Sequence, residues 1–274
     1  MDDGGIMALG GDYMRLFGVL IASVLLIVTG CTININGGLK VIAGSGVVVE
    51  VEEAVDTFTE VEVHQAFDVE VVQGDAHSVV IEIDDNLVEY LEVFTQGDRL
   101  SIGLKPNNRY KKATLKAVVT LAELGVVDGS GATSIGVSDG VVISDQFELR
   151  LSGASSFNGK LEAESVVMSL SGASSANAEM DTSNLEIDLS GASDVSGSGQ
   201  ADHVKIELSG ASDARLSRLD SKTAQIDVSG ASDVALAVSD QVEIDASGAA
   251  SVTITGHPSV QQQNISGGAD VKFK

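Results

Sequence analysis

A near-copy of one short motif runs through the second half of the chain: LSGASS at 151–156 and 170–175, LSGASD at 189–194 and 208–213, and VSGASD at 228–233. Taking the Ser of every SGA gives Ser130, Ser152, Ser171, Ser190, Ser209, Ser229 and Ser247, with a variant SGGAD at Ser266, at steps of 18 to 22 residues. A period near nineteen residues calls for a stack of similar units, because a unit that small cannot bury an apolar face by itself.

Inside each repeat the rhythm is that of a strand. The residues one, three and five before the Ser are apolar, as in Leu189, Ile187 and Leu185 or Leu208, Ile206 and Val204, and charged residues such as Asp188, Glu186, Glu207 and Lys205 lie between them. That two-residue alternation puts one set inward and the other in water. The fifth position past the Ser supplies a second inward set: Ile135, Phe157, Ala176, Val195, Ala214, Val234, Val252 and Val271. Two short strands and two turns use up one repeat, and coils of this kind stack with equivalent strands in parallel about 4.8 Å apart. The expected fold is all-β: a single-stranded parallel β-helix, right-handed by the usual chirality of parallel crossovers, with coils of about nineteen residues over 126–274. At the SGAS corner, Gly supplies backbone angles closed to other residues, Ala is expected to point inward so that the layers approach, and the Ser hydroxyls bond neighbouring backbone or one another.

Upstream, runs such as VVVEVEEA, FTEVEVHQAFDVEVVQG and SVVIEIDD also alternate, which predicts an N-terminal β region over 47–125. An apolar content of 43% is enough to supply a core, and thirty Gly against two Pro suit strands and tight turns better than helices. The stretch MRLFGVLIASVLLIVTGC at 14–31 has one Arg and then an uncharged segment, the layout of a signal peptide, so 1–30 reads as a signal peptide with translation starting at Met14. Its VTGC at 28–31 closely resembles a bacterial lipobox, which would make Cys31 the lipidated residue and the membrane anchor. Residues 31–46, polar and Gly-rich, read as the lipidated Cys and a flexible tether. Cys31 is the sole Cys, so no disulfide forms within one chain.

The formal net charge of −24 argues against nucleic acid as a partner. Four residues past the turn Ser, the repeats carry Asp194, Asp213, Asp233 and Asp270, a column that reads either as solvated turn carboxylates capping backbone N–H groups or as a ligand or calcium column. No cofactor is otherwise called for, and no metal site is assigned. The His residues at 64, 77, 203 and 257 share no metal spacing, and GASSF at 153–157 does not match a nucleophile elbow. Asp188, Glu207, Asp227 and Asp245 would be the carboxylates of a carbohydrate-active β-helix enzyme, but outward carboxylates are ordinary on a soluble sheet. The chain also lacks the Trp residues usual in sugar clefts.

The lipobox, the block GSGVVVEVEEAVDTFTEVEV with the DNL of 85–87 and Gly97, Leu100 and Ile102, and then the serial LSGAS coils resemble the head GIN domain family of autotransporter adhesins over roughly 44–273. The resemblance implies an all-β fold with a β-helical array in secreted or lipid-anchored envelope proteins of bacteria, and it assigns no functional residues. Together these readings predict a non-catalytic lipoprotein of the bacterial cell envelope, facing outside the cytoplasm. Held to the membrane by lipid on Cys31, it presents a rigid acidic solenoid for adhesion to an extracellular glycan or protein. An envelope scaffold is the alternative and the carbohydrate-active enzyme a second one. The closing VKFK, with Lys at an edge strand, predicts a monomer or small oligomer rather than a filament.

Overall fold

The computed structural model describes residues 39–274; the expected signal peptide, the start at Met14 and Cys31 lie outside the described residues. In chain order the strands are β1 Lys40–Ala43, β2 Val48–Glu53, β3 Glu60–Val63, β4 Asp68–Gln73, β5 Ser78–Asp84, β6 Leu91–Gln96, β7 Arg99–Leu104, β8 Asn108–Lys111, β9 Leu115–Leu121 and β10 Leu124–Gly129. They continue as β11 Ser134–Val137, β12 Ile143–Leu151, β13 Ser156–Leu170, β14 Ser175–Leu189, β15 Asp194–Leu208, β16 Asp213–Val228, β17 Asp233–Ala246, β18 Ser251–Thr255, β19 Ser259–Ile265 and β20 Asp270–Phe273. Among the described residues the one helical element is a 3-10 turn, Asp85–Tyr90.

From β12 onward each strand pairs in parallel with the next coil, as in Leu170↔Leu189, Leu189↔Leu208 and Leu208↔Val228. The long strands bend partway. In β14 the buried residues run Ala176, Ala178, Met180, Thr182 and then Leu185, Ile187, Leu189. The two-residue rhythm slips by one and pairing skips Ser183, which marks a second corner opposite SGAS. Two sheet faces thus enclose a core of Leu, Ile, Val, Met and Ala, the parallel β-solenoid that the repeat demanded. Repeat length is absorbed locally: the extra residue between Ser209 and Ser229 shows as a register shift against β15, where Ser196 pairs with Arg215 and Ser198 with Arg218.

The SGAS corner differs from expectation in one respect. The Ala side chains, among them Ala154, Ala173 and Ala192, are exposed, and the inward position belongs to the residue that follows: Ser155, Ser174, Ser193, Ser212 and Ser232, all buried. A buried hydroxyl requires a partner, and the turn supplies one: Ser174 Oγ donates to the Ser171 carbonyl at 2.8 Å and Ser193 Oγ to that of Ser190 at 2.9 Å. Ala250 takes this place in the coil at Ser247. Gly is required for two reasons. Gly191 has φ +78, and a Cβ built there would lie 2.6 Å from the Gly172 carbonyl oxygen of the preceding coil. That oxygen accepts the Ala192 N–H at 2.8 Å, and the same bond recurs at Ala173, Ala211, Ala231 and Ala249.

Residues 39–274 form one compact unit, and the expected boundary at 125/126 is not a break in packing. β3 pairs in parallel with β10, and β4 with β11, so part of the N-terminal β region is itself a coil of the solenoid. Its corner is His64-Gln65-Ala66-Phe67, where Gln65 and Ala66 take positive φ of 51° and 53°. Ser130 N–H donates to the Val63 carbonyl and Ser134 N–H to that of Phe67, which stacks this corner on the first SGA. Beneath it β7 joins β3 and β9 joins β4, both in parallel; the antiparallel pairs β6–β7, β5–β9 and β2–β5, with the 3-10 turn and its buried Leu87, finish this end. Residues 40–43, inside the stretch expected to be a tether, form β1 and pair in parallel with β8.

The DNL stretch has a structural role here. The fully buried Asp84 just before it accepts N–H bonds from Gly46 and Thr114, both at 2.6 Å, and Asn86 donates to the Ala43 carbonyl at 2.8 Å while accepting from Ser45 N–H at 3.0 Å. These contacts fasten the β1–β2 loop to the end of the solenoid.

Candidate functional site

Constant register turns every outward sequence position into a ladder that runs along the stack. On the face just past the SGAS corner the ladder contains the Asp column. Asp194, Asp213 and Asp233 are direct neighbours on three consecutive coils, whereas Asp270 is separated from Asp233 by Ser251. Arg215 reaches Asp194 at 3.0 Å and also bonds Asp213, and Lys272 pairs with Asp270. Burial raises the Asp213 carboxyl above its ordinary range; Arg215 opposes this, and the neighbouring Asp194 and Asp233 add to it. Arg215 and Lys272 thus take up Asp194, Asp213 and Asp270 of the column, and among the described residues no group of three His, Cys, Asp or Glu side chains is arranged to hold a metal ion.

On the other face Asp188, Glu207, Asp227 and Asp245 also align in one ladder. Lys205 lies 2.8 Å from Glu186 and 2.9 Å from Glu207, and these hydrogen bonds raise its pKa. Asn264 donates to Asp245 at 3.3 Å. The carboxylates named for an enzyme thus form an exposed row at strand spacing, in which Glu207 is ion-paired and Asp245 hydrogen-bonded.

A third ladder was not singled out from the sequence. Ser165, Asn184, His203, Thr223 and Gln241 stand on consecutive coils beside the second corner and line an open groove of about 440 Å³, together with Gln225 and Gln261. His203 Nδ1 is 2.8 Å from Thr223 Oγ1. None of these five is Asp, Glu, Lys or Arg, and each offers hydrogen-bonding groups, in a chain of net charge −24. The signal was present: each is the sixth residue before its turn Ser. Without the second corner placed, nothing showed that this position lies at the rim of a groove. Across the opposite face Asn177 donates to Asn158 at 2.8 Å, a side-chain amide ladder of the same kind.

Nearer the N-terminal end, Arg99 pairs with Glu60 at 3.0 Å and approaches Glu62 at 3.7 Å, and His64 Nδ1 lies 2.7 Å from Ser130 Oγ. Asp128 neighbours Glu62 and Arg150 in register. Burial chiefly, and then Glu62, push the Asp128 carboxyl above its usual range against the pull of Arg150, Arg99 and His64.

A parallel β-solenoid with polar ladders on its outer faces is the class of protein that fold and surface define. Within that class the chain belongs to the family described as "Putative auto-transporter adhesin, head GIN domain", whose profile matches residues 57–258. The fold is similar to the crystal structures of a putative lipid binding protein and of a putative adhesin from Parabacteroides distasonis. The first shares 18% identity at TM-score 0.77 over 86% of this chain and 100% of the other. The second shares 16% at TM-score 0.77 over 85% and 100%. A putative adhesin from Parabacteroides merdae is also similar, at 17% identity and TM-score 0.75 over 86% of this chain and 99% of that one. No curated protein matches the chain. Among the described residues no helix is long and apolar enough to cross a membrane.

Proposed function

We propose that this chain is a lipid-anchored adhesin of the bacterial cell envelope, tethered through Cys31 and binding an extended extracellular polymer, a glycan foremost, along the groove beside the second corner without catalysis. The observation that carries the reading is the ladder Ser165, Asn184, His203, Thr223 and Gln241, which repeats hydrogen-bonding groups at strand spacing beside Gln225 and Gln261. Parallel coils fix that spacing near 4.8 Å, and a polymer with repeating hydroxyls or amides meets a matching row of donors and acceptors. The lining also holds Glu186, Glu243 and Lys205, two acids to one base, and that balance disfavours strongly anionic polymers. Family membership supports adhesion as the general role.

The test has two parts. An epitope placed after Lys274 is probed with antibody on intact cells, beside Cys31→Ser. Labelling that is lost with Cys31→Ser supports an outward, anchored solenoid; labelling only after the envelope is breached favours the scaffold reading. Binding to a panel of glycans is then compared between the parent and the groove variant Asn184→Ala/Gln241→Ala. Loss of a bound glycan in the variant supports the groove, and unchanged binding moves the site to another face.

A further inference from the structure

Much of the positive charge of this chain is gathered at the N-terminal end of the stack. Residues 99–122 hold Arg99, Lys105, Arg109, Lys111, Lys112 and Lys116 and neither Asp nor Glu, in a chain of net charge −24. Residues 31–49 are likewise without Asp or Glu and supply Lys40. The fold brings the two stretches together, because β1 pairs in parallel with β8 as a separate two-stranded sheet. β8 lies in the connection between β7 and β9, the strands that pair beneath β3 and β4.

Register sorts this small sheet into two faces. The pairs Val41↔Arg109 and Ala43↔Lys111 share the outer face, all four exposed, while Ile42, 8% exposed, and Tyr110 turn inward. Val41 is 54% exposed, and Leu39, just before the strand, 57%. Cations further along the solenoid hold carboxylates: Arg150 pairs with Glu148, Lys160 with Glu162, Lys205 with Glu186 and Arg215 with Asp194. Among the described residues, Lys40, Lys105, Arg109, Lys111 and Lys112 form no ion pair. Lys40 donates to the Tyr90 hydroxyl at 2.7 Å and Lys105 to the Glu89 carbonyl at 2.6 Å, both uncharged acceptors.

Cations left unmatched in so acidic a molecule suit an anionic partner. An anionic lipid surface offers phosphate at the level of the cations and an acyl boundary just below it for exposed apolar side chains. Only seven residues separate Leu39 from Cys31, so a lipid carried there lies within about 29 Å of the sheet. We infer that the outer face of the β1–β8 sheet docks on the phosphate headgroups of the membrane that receives the anchor; the inference rests on the anchoring through Cys31 proposed above. Arg109 and Lys111 meet headgroup phosphates, Lys105 and Lys112 add attraction, and Leu39 and Val41 enter the boundary with the acyl chains. The same surface repels the carboxylate ladders further along the stack, so the solenoid is held by its N-terminal end and the groove is carried clear of the lipid.

The test follows Val41→Cys with a membrane-impermeant maleimide, in native membranes and in protein purified from them in detergent and added to preformed vesicles. In vesicles of phosphatidylcholine with phosphatidylglycerol, labelling is expected to be about tenfold slower than in detergent, the effect of one to two cations at an anionic surface. Asn177→Cys, on the side of the solenoid, should label at its detergent rate. Vesicles of phosphatidylcholine alone, high salt, and Arg109→Glu/Lys111→Glu should each restore the rate at Val41→Cys. Both replaced side chains are exposed, so this variant is expected to keep the circular dichroism of the parent. The parent, whose sole Cys is Cys31, takes up no label while that thiol carries lipid. A labelled parent overturns the anchor reading alone, and Val41→Cys is then followed in a Cys31→Ser background. Equal rates at Val41→Cys and Asn177→Cys in anionic vesicles overturn the docking, as does protection that persists in neutral vesicles. Protection confined to native membranes overturns it in favour of a protein or glycan partner.

Discussion

Gly191→Ala isolates what the SGAS corner does. Two costs apply at this position. The first is conformational: φ +78 is left-handed backbone, roughly 1–2 kcal/mol for an L-residue, offset by about 0.4–1 kcal/mol because Ala also restricts the unfolded chain. The second is steric. A Cβ would sit 2.6 Å from the Gly172 carbonyl oxygen, whose N–H partner is Ala192 at 2.8 Å, so the two coils must part. Overpacking of this kind costs about 1–3 kcal/mol, and weakening the inter-coil bond adds about 1 kcal/mol. The expected loss is about 3–4 kcal/mol. Gly97→Ala is the internal control, since Gly97 has φ +63 and nothing within 4 Å of a built Cβ, which leaves only the conformational part, about 1 kcal/mol. Urea denaturation followed by circular dichroism reads both variants, with equal m-values required for the comparison. Equal losses at the two glycines would refute coil contact as the reason that Gly recurs in the corner.

Two further outcomes follow from buried or crowded carboxylates. Asp84→Ala strands the N–H groups of Gly46 and Thr114, and a loss of about 2–5 kcal/mol is expected from chemical denaturation, with faster proteolysis in the β1–β2 loop; an unchanged midpoint would show the loop to be held by Asn86 alone. Asp128 has a folded pKa above its unfolded value, so its contribution to stability is present at low pH and is lost as pH rises through the folded pKa. Asp128→Asn is therefore expected to be more stable than the parent at neutral pH, with the gap closing as pH falls into the carboxylate range; a gap that stays constant with pH would contradict the charge explanation.

How far the sequence reaches can be judged residue by residue. Positions such as Leu185, Ile187, Leu189 and Val195 reveal their inward orientation by spacing alone, because a two-residue period on a repeat of about nineteen residues admits one arrangement. Register follows from the same repetition, so the Asp194, Asp213 and Asp233 column was legible as a column. The identity of the small inward corner residue was not. Ala and Ser are both small, and what decides between them is the turn geometry, in which the Ser193 hydroxyl reaches the Ser190 carbonyl while the Ala192 side chain is directed to solvent.

The repeat by itself determined that the second half of the chain stacks as parallel coils, since no other fold gives so small an apolar unit a partner. Only the tertiary structure decided where that stack begins and what its faces offer. The His64–Phe67 corner bears no sequence likeness to SGAS, yet it lies on Ser130 because backbone hydrogen bonds, which are blind to side-chain identity, set the stacking. The groove ladder of Asn184, His203 and Thr223 is likewise set by the second corner, whose place depends on where the inward rhythm slips and not on any one residue. Periodicity in a sequence specifies what repeats; the contacts that start, bend and finish the stack are long-range, and they become visible only when the chain is folded.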